Sequence, residues 1–234
     1  MTCDTIPSYV LIQKKGVKRV RLMVSDTCEV QVIAPTSIVK AEIDLFVSSK
    51  QSWIEKMLAK QRQRVLFHYS LEKLRKDDRQ EVWYLGKTYP LCLQDFEKKS
   101  VVFKEGAVQI MGSNLTDKQV VVLFNKWMKH RSEEIIGDRV LYWSHQMGLY
   151  PRTIRFRNMK SRWGSCSSHK SVSLSIGLLS LDLALIDYVV IHELAHLKHM
   201  NHGSRFWTLV EQYCPQMRAL RKELQLFSPE LRFD

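Results

Sequence analysis

His192-Glu193-Leu194-Ala195-His196 continues as Leu197-Lys198-His199-Met200-Asn201-His202, and Leu185-Ile186-Asp187-Tyr188-Val189-Val190-Ile191 precedes it. The stretch reads as a buried helix over 183–200, because Leu185, Ile186, Val189, Val190, Ile191, Leu194 and Ala195 are apolar nearly all round. Two histidines four residues apart lie on one face of such a helix, one turn from each other. That spacing lets both imidazoles reach a single Zn²⁺ at about 2.0–2.1 Å. Glu193 stands beside the first ligand, placed to take a proton from water rather than to hold the ion. Polar groups in so apolar a helix need partners, and a metal ion supplies them.

Such a site needs a third protein ligand. His199, seven residues after His192, shares its helical face, but a straight helix carries it about a turn past the ion. His202 follows His196 by six residues. That is the spacing of H-E-x-x-H-x-x-G-x-x-H sites, in which the chain leaves the helix and folds back. There a Gly stands where this chain has His199; the turn is expected at Asn201 instead, since Asn tolerates the left-handed conformation. His202 is therefore the favoured third ligand, for one zinc per chain.

Upstream, Ser171-Val172-Ser173-Leu174-Ser175-Ile176 alternates as a strand with one wet and one buried face. Asn158–Lys170 reads as a polar loop, Arg152–Arg157 as a short strand, and Thr116 as the N-cap of a long helix running to about Met147. Downstream, two short helices from about Ser204 and Pro215 are expected to complete the chain. The first half reads as strands around a helical insert. Tyr9–Ile12 and Val17–Val24 are expected to pair through Lys14-Lys15-Gly16, and Glu29–Ala34 alternates up to Pro35. A helical region from Ser37 to about Arg64, broken near Ser48-Ser49, buries Ile43, Phe46, Val47, Trp53, Ile54 and Leu58. Its opposite face is basic, with Lys50, Lys56, Lys60, Arg62 and Arg64. Leu71–Gln80 reads as a charged connector, followed by hairpins turning at Gly86 and at Lys104-Glu105-Gly106. The expected fold is α+β: a β-rich region with helical insert over 1–115, suited to substrate recognition, then a compact catalytic domain over 116–234.

Met159-Lys160-Ser161-Arg162-Trp163-Gly164-Ser165-Cys166-Ser167-Ser168, a strand, the 192–202 motif and then Arg205-Phe206-Trp207 together resemble the YgjP-like metallopeptidase family, a relative of the SprT-like and WLM zinc peptidases. The likeness is strong over roughly 151–224. It implies a zincin-like domain, with His192, His196 and His202 as zinc ligands and Glu193 as the catalytic carboxylate. It also implies that the Trp163-Gly164-Ser165-Cys166 loop lies near the site. There its N–H groups or Arg162 stabilise an oxyanion, or Trp163 and Cys166 simply pack the loop. In zincins the strand before the metal helix is commonly the edge beside which a peptide lies. That places the 171–176 strand, Ser173 included, against substrate.

Composition narrows the partners. The formal net charge of +12 attracts polyanions. A peptide or protein is the expected substrate; a nucleotide phosphoanhydride attacked by metal-activated water is the alternative, with Arg162, Lys160 or Arg205 on its phosphates. A non-catalytic zinc-containing module that binds DNA or protein is a third reading, opposed by the presence of Glu193. Nucleic acid can meet the basic surface under any of them. Five scattered cysteines without a C-x-x-C pair indicate free thiols. No signal-peptide pattern and no apolar run of about 20 residues is present, so a cytoplasmic, non-membrane protein is expected.

Overall fold

The computed structural model describes residues 7–25, 28–62, 65–76 and 80–233. The chain forms two compact units, Met1–Arg64 and Val65–Asp234.

In the first unit, strands β1 (Val10–Lys14), β2 (Arg21–Val24) and β3 (Val30–Pro35) precede helices α1 (Lys40–Ser49) and α2 (Gln51–Arg62). The sheet order is β1-β3-β2. The expected pairing of the first two strands is thus corrected: β3 lies between them, parallel to β1 and antiparallel to β2. The reason lies in β3 itself. Its inward row Val30, Val32 and Ala34 is fully apolar and buried, so it takes the position with a neighbour on each side. Ile43, Val47 and Ile54 close the core over it, with Leu58 packed against them. Trp53, expected inside, is 41% exposed. The break between the helices falls at Lys50, next to the expected place. Of the expected basic face, Lys50 and Lys56 are exposed; the side chains of Lys60 and Arg62, and Arg64 altogether, lie outside the described residues.

The second unit begins with β4 (Val65–Tyr69), α3 (Leu71–Arg75), β5 (Gln80–Tyr84), β6 (Lys87–Gln94), β7 (Ser100–Lys104) and β8 (Ala107–Met111). The expected connector at 71–80 is in part a helix, capped by Ser70 and anchored by buried Leu74; residues 77–79 lie outside the described ones. Both expected hairpins form. Leu85 and Gly86, then Glu105 and Gly106, take positive φ, the geometry of a two-residue turn that follows the strand twist. β6 and β8 pair in parallel, giving the order β5-β6-β8-β7.

The chain continues with α4 (Asp117–Met147), β9 (Thr153–Arg157), β10 (Gly164–Cys166), β11 (Ser171–Ser175), a 3₁₀ turn (Ile176–Ser180), α5 (Leu183–Ala195), α6 (Ser204–Tyr213), α7 (Met217–Leu224) and β12 (Phe227–Phe233). Thr116 and Gln119 form a capping box at the start of α4, and Gly148 ends it in the left-handed conformation. Val120, Phe124, Met128, Ser132, Ile136, Val140, Ser144 and Met147 form its buried stripe. Asp182 caps α5, accepting from the Leu185 N–H at 2.9 Å.

The boundary differs from that expected near residue 115. The β5–β6 turn abuts the start of α5: a Cβ on Gly86 would lie 2.8 Å from Asp182 Cβ, and Leu85 N–H donates to the Leu179 carbonyl at 2.6 Å. Val82, Leu91, Val108 and Ile110 share one core with Phe124, Leu174 and Ile191. The hairpins therefore belong with residues 116–233, and the division falls after Arg64.

Three strands were not foreseen: β10, inside the expected loop, and the pair β4 and β12. β4 and β12 pair in parallel, with a register shift between Phe227 and Leu231. Pro229 cannot donate to a ladder and disguises β12 in the sequence. Asn158 holds β12 through its side chain, donating to the Leu231 carbonyl at 3.1 Å and accepting from its N–H at 3.3 Å. No helix among the described residues is long and apolar enough to cross a membrane.

Candidate metal centre

α5 is shorter than its sequence suggests. It ends at Ala195, His196 is its C-cap, and tight turns follow: Leu197 N–H donates to Leu194 O at 2.9 Å and His199 N–H to Ala195 O at 2.9 Å. The chain reverses through Asn201, whose carbonyl accepts from Gly203 N–H at 2.8 Å, and enters α6. Asn201 is not among the positive-φ residues, so the left-handed turn expected there is not used; the early end of α5 does that work.

The reversal brings His202 back to the helix. One ring nitrogen from each of His192, His196 and His202 lies within 4.8 Å of the other two, and the Nε2 atoms of His192 and His202 are 3.1 Å apart. His196 Nδ1 lies 3.2 Å from the His199 carbonyl. A carbonyl can only accept, so Nδ1 carries the proton and Nε2 keeps its lone pair for a ligand. His199 thus takes part through its backbone. Phe206 packs against all three rings, with centroids 4.9, 4.6 and 4.8 Å away, and Trp207 stacks on His202 at 5.5 Å. Arg221 lies over Trp207 at 4.7 Å.

Electrostatics fit a cation. Burial, then the neighbouring His196 and His202, push the His192 pKa down to about 3, and burial lowers that of His196. Unprotonated imidazoles are what a metal requires. Glu193, 6% exposed, has its pKa pushed up to about 8 by burial, with Arg162 opposing. Glu193 Oε2 is buried with no partner among the described residues, a cost that a metal-bound water would relieve. The donor set and this orphaned oxygen fit a divalent metal ion with three nitrogen ligands.

Arg162, Trp163 and Gly164 line one pocket of about 270 Å³ with Tyr188, Val189, His192, Glu193 and Leu224. Gly164 runs directly over the carboxylate: a Cβ there would be 2.7 Å from Glu193 Oε1. Trp163 also packs edge-on against Phe67 at 6.4 Å. The expected 158–170 loop contains a strand, β10, antiparallel to β11 with Ser165 opposite Ser173. The sheet order β10-β11-β9 corrects the expected edge: β11 is paired on both sides and cannot accept a peptide. The strand beside the site with a free edge is β10. Ser165 and Ser173 line a different cavity, on the sheet face away from Glu193. Ile176, expected in the strand, starts the 3₁₀ turn.

The YgjP-like metallopeptidase domain model matches residues 18–226. The chain belongs to the YgjP-like metallopeptidase family. This family member is a metallopeptidase, and its family implies a divalent metal and a peptide or protein substrate. Among solved structures it is similar to the zymogen of the metallopeptidase abylysin from Pyrococcus abyssi, at 26% identity over 38% of this chain and 91% of that one, with a TM-score of 0.36. It is also similar to the zymogen of jannalysin from Methanocaldococcus jannaschii, at 24% identity over 38% and 94%, with a TM-score of 0.34. No curated protein matches it.

Sequence reasoning missed Tyr188 and Leu224 as pocket residues. Tyr188 was findable: it stands one turn before His192, and their rings are 6.0 Å apart. Leu224, on α7, carries no such signal.

Proposed function

We propose that this metallopeptidase is zinc-dependent, that His192, His196 and His202 hold the ion, and that Glu193 is its general base. The observation that carries the reading is the convergence of three imidazole nitrogens beside a buried carboxylate whose Oε2 has no protein partner. Three neutral nitrogen donors suit zinc, and three protein ligands leave a coordination position open. When bound, zinc supplies Lewis acidity, easing ionisation of a water and polarising the scissile carbonyl.

The residues of the chain do the rest. Glu193 accepts the proton of the attacking water and passes it to the leaving amine. Burial by itself raises its pKa, and the positive charge of a bound divalent ion would favour the ionised carboxylate that a base requires. The His199 carbonyl fixes the His196 ring, and Phe206 and Trp207 hold the three rings in place. Arg162 lines the pocket as a cation that can stabilise an oxyanion. β10 offers its free edge to an extended substrate, by strand addition.

The test is zinc content and casein hydrolysis for the wild type and Glu193→Gln. The reading expects one zinc per chain in both and hydrolysis in the wild type alone. Equal hydrolysis by the two proteins overturns the role of Glu193.

A further inference from the structure

The face of the β10-β11-β9 sheet away from Glu193 is built for negative charge. Strand alternation places Ser165 of β10, Ser171 and Ser173 of β11, and Thr153, Arg155 and Arg157 of β9 on it. Ser165, Ser173 and Arg155 form one cross-strand row. With Arg152 and His169 they line a cavity of about 470 Å³ that contains no carboxylate. Among the described residues, none of Arg152, Arg155 and Arg157 has an ion-pair partner. That sets them apart from Arg75, Arg131 and Arg139, which each hold an acid.

The geometry points to this face as a binding site for an acidic segment of the polypeptide substrate, flanking the bond to be cleaved. The inference rests on the peptidase reading above and adds a substrate preference to it. Two observations choose a polypeptide over a nucleic acid. First, the face is continuous with β10, whose Gly164 covers Glu193 while Ser165, the next residue, opens onto the cavity. A polypeptide leaving this three-residue edge can cross the sheet face along the row Ser165, Ser173 and Arg155 to reach the arginines, two strands away. Second, the lining holds no Phe, Tyr or Trp, the rings of a base-stacking platform, and His169 is its one aromatic ring. Arg155 and Arg157, two residues apart on one strand, repeat at about 6.6–6.8 Å, the repeat of alternate side chains in an extended peptide. The hydroxyls supply further donors to carboxylate oxygens.

The test compares zinc-loaded wild type with the double variants Arg155→Ala/Arg157→Ala and Arg155→Glu/Arg157→Glu. The probes are fluorogenic peptides sharing one neutral core and flanked by glutamates, by serines or by lysines. In the wild type, kcat/KM for the acidic peptide should exceed that for the serine peptide by roughly five- to tenfold, the worth of two exposed charge pairs. The alanine variant should bring that ratio near one, and the glutamate variant should favour the lysine peptide. Equal use of all three peptides by every protein overturns the inference and leaves the peptidase reading standing. If no peptide is cleaved, the peptidase reading fails; fluorescence anisotropy of the same peptides on zinc-loaded Glu193→Gln, with and without the arginine changes, still decides the site. Arginine-dependent binding of single- or double-stranded DNA, without arginine-dependent binding of the acidic peptide, assigns the face to nucleic acid and overturns the inference.

Discussion

Gly164 and Glu193 are so close that one added methyl group would overlap the carboxylate, at 2.7 Å from both Cγ and Oε1. The strand proposed to pair with substrate therefore rests on the proposed general base, and a shift of one is felt by the other. Gly164→Ala must push Glu193 aside, β10 outward, or both. The histidines lie beyond this contact, so zinc content should stay at one per chain while kcat falls about 10²-fold, the scale of an ångström's misplacement. An alanine variant with wild-type kcat would show that the carboxylate has slack there.

His202 and His199 contribute through different atoms, and substitution separates them. His202→Ala removes a ring nitrogen from the cluster and should lower zinc affinity by at least about 10-fold to 100-fold, the penalty for disturbing even an outer partner of a metal site. His199→Ala keeps the carbonyl that orients His196 and should retain one zinc per chain. Elemental analysis after dialysis against a weak chelator reads both. Loss of zinc from His199→Ala with retention by His202→Ala would exchange their roles.

How much of this was legible in the sequence depends on the range of the interaction. That His192 and His196 share one helix face follows from helical period alone, and the hairpin at Gly86 from turn chemistry, both within a few residues. His202 was reachable by spacing, although the turn that delivers it is not the expected one: α5 stops at Ala195 instead of running to Met200. What stayed hidden depends on partners far along the chain. β12 pairs with β4 more than 150 positions earlier, and Pro229 conceals it. The edge role passed from β11 to β10 because β9 occupies the other side of β11, a choice of neighbour that alternation cannot specify. Trp53 has the spacing of a buried residue yet stands 41% exposed, because period defines a face and not how far the core extends beneath it.

Metal removal should be felt in stability as well as in activity. The three clustered imidazoles are brought together only by folding, and an ion that binds only the folded chain stabilises it by mass action. With free zinc at about 1,000 times Kd, the gain is about 4 kcal/mol. Differential scanning fluorimetry with zinc and with chelator should then separate the melting temperatures by roughly 10 °C for a chain of this size. Coincident melts would count against a resident ion.

Helix α5 is held from outside the site by Arg139 of α4, which donates from Nε and an Nη to the two carboxylate oxygens of Asp187, 2.6 Å each. Asp187 lies five residues before His192 on α5, so the pair ties α5 to the longest helix described in the unit. The Arg139 guanidinium also covers the Tyr142 ring at 4.7 Å, and its pKa is raised chiefly by the hydrogen bonds to Asp187. The side chains retain 30% and 19% of their exposure, so solvent screening reduces what a fully buried pair would yield. Arg139→Ala and Asp187→Ala should each cost about 1–2 kcal/mol in denaturant unfolding. The double variant should cost less than the sum, because each single change leaves a charge without its partner. Strict additivity would mean that the two side chains act separately, and that packing alone sets the position of α5 against α4.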